Sequence, residues 1–118
     1  MEILIVREPV TEEVLDTLAQ EWHHVLVKGV ADIKRGVVAL GGEWHMDANV
    51  RMIEDGSEQQ DVWGFNVYLG KKNDDAIEYT SLINIRPLQG NRGMEIASEE
   101  TRAAVRKAVA LAVPFLEL

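Results

Sequence analysis

The stretch from Val25 to Leu40, VLVKGVADIKRGVVAL, limits what this chain can fold into more than any other. It is rich in valine, whose β-branched side chain suits a pleated, half-buried strand, and it is interrupted only by Lys34-Arg35-Gly36. Two strands joined by so tight a turn lie antiparallel, because a parallel pair needs a long crossover. The pattern returns further on. VWGFNVYL, a turn at GKKNDD and then IEYTSLINIR read as a second hairpin, from Val62 to Arg86.

Helical signals fill the intervals. Ile3 to Val6 reads as an opening strand ended by Pro9, and Thr11 then offers an N-cap with Glu12 and Glu13 in the first turn, where the helix dipole favours acids. Val10 and Leu15 are placed to form a hydrophobic staple. Val14, Leu15, Leu18, Ala19 and Trp22 recur at helical spacing as one buried stripe, which predicts a helix of about three turns. A short helix is predicted after the GGEWHMD stretch, with Asp47 as its cap, Val50 and Ile53 facing inward and Gly56 just past its end. The last helix opens at Ser98 with Glu99 and Glu100 and stops at Pro114. The predicted order is β-α-β-β-α-β-β-α: an α+β fold with a mainly antiparallel sheet of about five strands and three helices, residues 1–118 forming one domain.

Composition narrows the partners. Twenty acidic residues against twelve basic ones give a formal net charge of −8. Such a charge opposes binding to a phosphate backbone or an anionic membrane, so neither nucleic acid nor membrane is an expected partner. No apolar run approaches the length of a bilayer span, and MEILIVREP reads as a strand and not as a secretory signal. The expected location is cytoplasmic. There is no cysteine, which removes disulfides, thiolate nucleophiles and sulfur-based zinc sites.

Two stretches carry candidate chemistry. In GGEWHMD, Gly41 to Asp47, an extended backbone would put Glu43, His45 and Asp47 on one face and Trp44 and Met46 on the other, whereas a helix would turn His45 away from both acids. The two glycines favour the extended form, so Trp44 is expected to be more buried than Glu43 and His45. Glu43 and His45 then make a general acid/base pair, the imidazole titrating near neutrality and the carboxylate orienting it. Asp47 has a simpler use as a helix cap. With one histidine in the motif, any metal binding is expected to be weak, and no cofactor is assigned. His23 and His24 point in different directions and read as surface residues at a helix end.

The second stretch is the hairpin from Val62 onward. Trp63, Phe65, Val67 and Leu69 form a core face and alternate with Gly64, Asn66 and Tyr68. A glycine in mid-strand implies that something needs the space beside it, a bulge or a ligand. Ile83 and Ile85 alternate with Asn84 and Arg86 in a polar strand face that leads into the turn from Gln89 to Arg92. From Leu82 to Met94 the chain has no acid at all. Arg86 and Arg92 are therefore candidate anion ligands, with Asn66, Asn84 and Asn91 orienting the anion. Arg86 has an equal structural reading as the partner of an acid such as Glu43.

GGEWHMDA, GSEQQDVWGFNVY and INIRPLQGNR, in that order, resemble a family of short uncharacterised prokaryotic proteins defined as a domain of unknown function. The resemblance covers about residues 41–92. It singles out Gly41, Gly42, Glu43, His45, Asp47, Ser57, Gln59, Asp61, Trp63, Gly64, Asn66, Tyr68, Asn84, Arg86, Pro87, Gly90, Asn91 and Arg92. It implies a shared fold and supplies no activity. Where the family pattern carries a serine after GNR, Gly93 stands here, which puts in doubt a hydroxyl role at that spot. Two functions remain in view. One is a binding or catalytic site for a small anionic molecule, with Glu43 and His45 moving a proton. The other is a noncatalytic interaction module, such as a homodimer, with Trp44 or Trp63 in the contact.

Overall fold

The computed structural model describes residues 2–118, apart from the side chain of Glu21. Five strands, β1 (Ile3–Ile5), β2 (Leu26–Asp32), β3 (Val37–Gly41), β4 (Val62–Tyr68) and β5 (Ile77–Glu78), form one sheet in the order β1-β3-β2-β4-β5. Every pairing is antiparallel. Three helices, α1 (Glu12–Leu18), α2 (His45–Glu54) and α3 (Glu99–Ala112), complete the order read from the sequence. The first hairpin turns where Lys34-Arg35-Gly36 stands. Asp32 closes it by accepting from the backbone N–H groups of Lys34 and Arg35, each at 2.9 Å.

The sheet has two unequal faces. Alternation along β2, β3 and β4 sends Val27, Ala31, Val38, Leu40, Trp63, Phe65 and Val67 to one side, where they pack against Leu15 and Leu18 of α1 and Val105, Ala108 and Val109 of α3. Both helices start where their caps predict. Thr11 Oγ1 accepts from Val14 N at 3.3 Å and Ser98 Oγ from Thr101 N at 3.1 Å. The opposite face is thinner: Val30, Ala39 and Val62 meet Ala48 and Met52 of α2. Among the described residues, no helix is long and apolar enough to cross a membrane.

Three local expectations are corrected. Helix α1 ends at Leu18 and gives way to a 3-10 turn at Gln20–Trp22, so Val14 is exposed and Trp22 half-buried. In α2 the inward stripe is His45, Ala48, Asn49 and Met52, spaced i, i+3, i+4, i+7, and this rotates Val50 and Ile53 to the surface. Burying Asn49 is tolerable because its amide and that of Gln59 bond each other reciprocally, at 2.7 and 2.9 Å. The third correction is the far strand of the second hairpin. Only Ile77 and Glu78 pair as β5, and Leu82–Asn84 becomes a 3-10 turn. The reason is a side chain: Asn84 Oδ1 accepts from Gly64 N at 2.8 Å and its Nδ2 donates to Gly64 O at 3.0 Å, doing a neighbouring strand's work at the edge of β4. Gly64 admits this contact. A Cβ there would lie 2.5 Å from Ser81 Cβ, so the space beside it belongs to Ser81.

Candidate functional site

The face of the sheet that carries α2 is only partly covered. On β2 and β4 its residues are Leu26, Lys28, Val30 and Asp32, and Val62, Gly64, Asn66 and Tyr68. Helix α2 covers the Val30 and Val62 end, and Ser81 covers Gly64. Leu26, Lys28, Asn66 and Tyr68 are left open, together with Glu78, the partner of Asn66 on β5. They floor a cleft of about 630 Å³. Trp44, His45 and Met46 wall it on one side, and Thr80 to Ile83 with Met94 on the other.

Asn66 is central to that floor. Its Nδ2 donates to Glu78 Oε1 at 2.8 Å and to Thr80 O at 3.3 Å. A carboxylate and a carbonyl can only accept, which fixes the orientation of the amide. The other end, Oδ1, is buried with no hydrogen-bond partner among the described residues, in a residue only 8% exposed. Tyr68 OH also donates to Glu78 Oε1, at 3.2 Å, and burial with the Glu78 charge raises the phenol's pKa.

His45 Nε2 lies 2.9 Å from Phe65 O. Because a carbonyl cannot donate, Nε2 carries the proton, and Nδ1 is a lone pair whenever the ring is neutral. Burial lowers the pKa of His45 first of all, aided by the Lys28 charge and opposed by the Phe65 carbonyl, Asn66 and Glu78. Neutral imidazole is therefore favoured. Lys28 Nζ donates to Glu43 O at 3.0 Å and sits 4.3 Å from the Trp22 ring centroid and 5.0 Å from that of Trp44. Burial lowers its pKa, opposed by the charges of Glu43 and Asp47.

The residues singled out from sequence divide into three groups. His45 and Asn66 meet in the cleft. Glu43 does not join them: it is exposed and lines a separate depression with Gly42, Asp47 and Val50. The extended backbone expected from Gly41 to Asp47 ends at Trp44, and α2 begins at His45. Asp47 decides this by accepting from Trp44 N at 2.9 Å, the bond an acid in the first turn makes to hold a helix start. The glycines act earlier. At Gly41, with φ of 107°, a Cβ would collide with Glu2 O, so the close approach is to the backbone that leads into β1 and not to a ligand. Trp44 is 58% exposed, more than half-buried His45, against expectation.

Asn84, Arg86 and Asn91 build the loop beside the cleft and line none of it. Arg86 donates from Nε to Ile83 O at 3.0 Å, from Nη1 to Gln59 O at 3.0 Å and from Nη2 to Val62 O, while its guanidinium stacks 4.3 Å from the Trp63 ring centroid. The fork is engaged by main-chain carbonyls and not by Glu43. Asn91 Nδ2 donates to the carbonyls of Asn84, Gly93 and Glu95, and its Oδ1 accepts from Ala97 N. Arg92 is exposed and forms no ion pair among the described residues.

Sequence reasoning missed Lys28 and Glu78 as site residues and took Trp44 for a buried one. Lys28 did carry a signal, a lone cation inside the valine-rich strand. Glu78 did not, because only the strand register brings it opposite Asn66. Among the described residues, no three His, Asp or Glu side chains gather closely enough to hold a metal ion.

A family model described as "Protein of unknown function (DUF5674)" matches residues 4–111. No curated protein and no solved structure matches the chain.

Proposed function

The chain belongs to the DUF5674 family, and from that premise we propose that it binds a small organic molecule in the cleft between α2 and the segment from Thr80 to Met94. The observation that carries this reading is Asn66 Oδ1. An acceptor buried without a partner costs about 1–3 kcal/mol, and a ligand donor seated on it would recover that. The surroundings support the same reading: apolar walls at Trp44, Leu82 and Met94, and a floor where Leu26 lies beside a few polar groups, as small-molecule sites require. The anionic ligand expected from the arginines draws less support, since Arg86 is engaged internally and Arg92 lies outside the cleft. No reaction is assigned.

The test is an NMR titration of isotope-labelled protein with small aromatic alcohols, amines and acids. Shifts concentrated at Trp44, His45 and the Asn66 side-chain amide are expected. Shifts confined to other surfaces, or none at millimolar concentrations, would remove the cleft reading.

A second reading is favoured by one observation: Trp44, Met46, Leu82 and Met94 are all exposed around the cleft mouth. Such a patch suits self-association as a noncatalytic contact surface. Light scattering distinguishes the two. A dimer that Leu82→Glu dissociates supports the contact surface, and a monomer at every concentration removes it.

A further inference from the structure

Resting on the cleft reading above, we propose that the site is selective for an organic amine, a protonated primary amine head on an aromatic or aliphatic body. The argument is an inventory of donors and acceptors. At the floor, Asn66 Oδ1 has no donor among the described residues while the neighbouring His45 ring is neutral. Glu78 Oε1 takes both Asn66 Nδ2 and Tyr68 OH, and among the described residues Oε2 takes no hydrogen bond. His45 presents Nδ1 as a lone pair once Nε2–H is committed to Phe65 O. The neutral donors of the floor, by contrast, are already in use: the Asn66 amide points at Glu78 and Thr80 O, and the Tyr68 hydroxyl at Glu78.

A carboxylate or phosphate entering this floor would meet acceptors and the Glu78 charge. An ammonium would find an unpaired carbonyl oxygen and an open carboxylate oxygen, and hydrogen bonds between charged groups are the stronger kind. Among the described residues the one cation in the lining, Lys28, is held on the Trp44 side, donating to Glu43 O between the Trp22 and Trp44 rings. Its ammonium is thereby held on the His45 and Trp44 side of the floor, while the Glu78 carboxylate occupies the Asn66 and Tyr68 side. The chain's net charge of −8 draws cations in the same direction.

Three probes that share a phenyl body separate the possibilities: 2-phenylethylamine, 2-phenylethanol and 3-phenylpropionate, each titrated by NMR at about pH 7.5, where His45 is neutral. The amine is expected to bind at least about tenfold more tightly than the acid, with the alcohol between them. Glu78→Gln, at an exposed position, should lower amine affinity several-fold and alcohol affinity by much less. Asn66→Ser should weaken both amine and alcohol. Binding of the acid as tight as that of the amine, or an amine constant indifferent to Glu78→Gln, overturns the selectivity and leaves the cleft reading standing. No shift at Trp44, Asn66 or Tyr68 from any of the three overturns both.

Discussion

Asn84 holds the free edge of β4 with one side chain. It is fully buried, and its amide satisfies both the N–H and the C=O of Gly64. Asn84→Leu leaves two buried backbone groups unpaired, and a loss of about 3 kcal/mol is expected in urea denaturation; less than about 1 kcal/mol would contradict this account. Arg86 works the same way from outside the edge. Lysine keeps the charge but not the fork that reaches Ile83, Gln59 and Val62, so Arg86→Lys should lose nearly as much stability as Arg86→Ala. His45 contributes differently, through pH. Its native pKa is lowered by burial, so the unfolded chain, with imidazole near about 6.5, takes up the proton first. The stability this group contributes is complete above about pH 6.5 and is lost as pH falls through the lower native value. The groups that face it, Lys28, Asn66, Glu78 and the Phe65 carbonyl, are unchanged in His45→Gln. Urea melts at about pH 7.5 and about pH 5.5 should therefore show a smaller drop in the variant than in the parent. Equal drops would show that His45 does not titrate as its surroundings imply.

Elements defined by local chemistry were legible in the sequence, and those defined by a distant partner were not. The hairpin from Leu26 to Gly41 follows from its own valines and turn, and α1 and α3 start at Thr11 and Ser98 because a cap needs only the next three residues. The inner face of α2 was misread because it depends on one starting residue. Moving the start to His45 puts Ala48, Asn49 and Met52 inside and leaves Val50 and Ile53 outside, and Asn49 is tolerated there chiefly through Gln59, ten positions on. The second hairpin misled for a related reason: the alternation of Ile83, Asn84, Ile85 and Arg86 fits a strand, but Asn84 competes successfully for the edge of β4. Of the site, Asn66 and His45 could be picked out as polar residues beside glycines and aromatics. Glu78 and Lys28 needed the register. Asp47 is the element-scale test. Asp47→Ala removes the acceptor for Trp44 N and should cost about 0.5–2 kcal/mol, with faster amide exchange confined to the first turn of α2. Unchanged exchange there would mean that the helix start is fixed by something other than this acid.

Across the whole molecule, the two faces of the sheet are stabilised by different means. The α1 and α3 side carries the larger apolar cluster, with Leu15, Phe65, Val67, Val105 and Val109 all fully buried. The α2 side buries Val30, Ala39, Ala48, Met52 and Val62, and fastens the rest of its layer with polar contacts. At one end of α2, His45 reaches Phe65 O; at the other, Asp55 takes Arg7 at 2.6 Å and Arg35 at 2.7 Å, while Ser57 donates to buried Asp32 at 2.5 Å. Exposed ion pairs add little and are weakened by salt, whereas apolar burial is not. Helix α2 should therefore open before the rest of the molecule. Native-state hydrogen exchange at rising urea should show the amides of Asn49 to Glu54 exchanging through an opening of lower free energy than those of β2, β4 and α3. Salt should lower that free energy further without moving the global value to the same extent. Since α2 also supplies the Trp44, His45 and Met46 wall of the cleft, an amine seated on Asn66 and Glu78 should slow exchange in α2 selectively. If α2 amides exchange only with global unfolding, the two faces form one cooperative unit, and the cleft wall is no more mobile than the core.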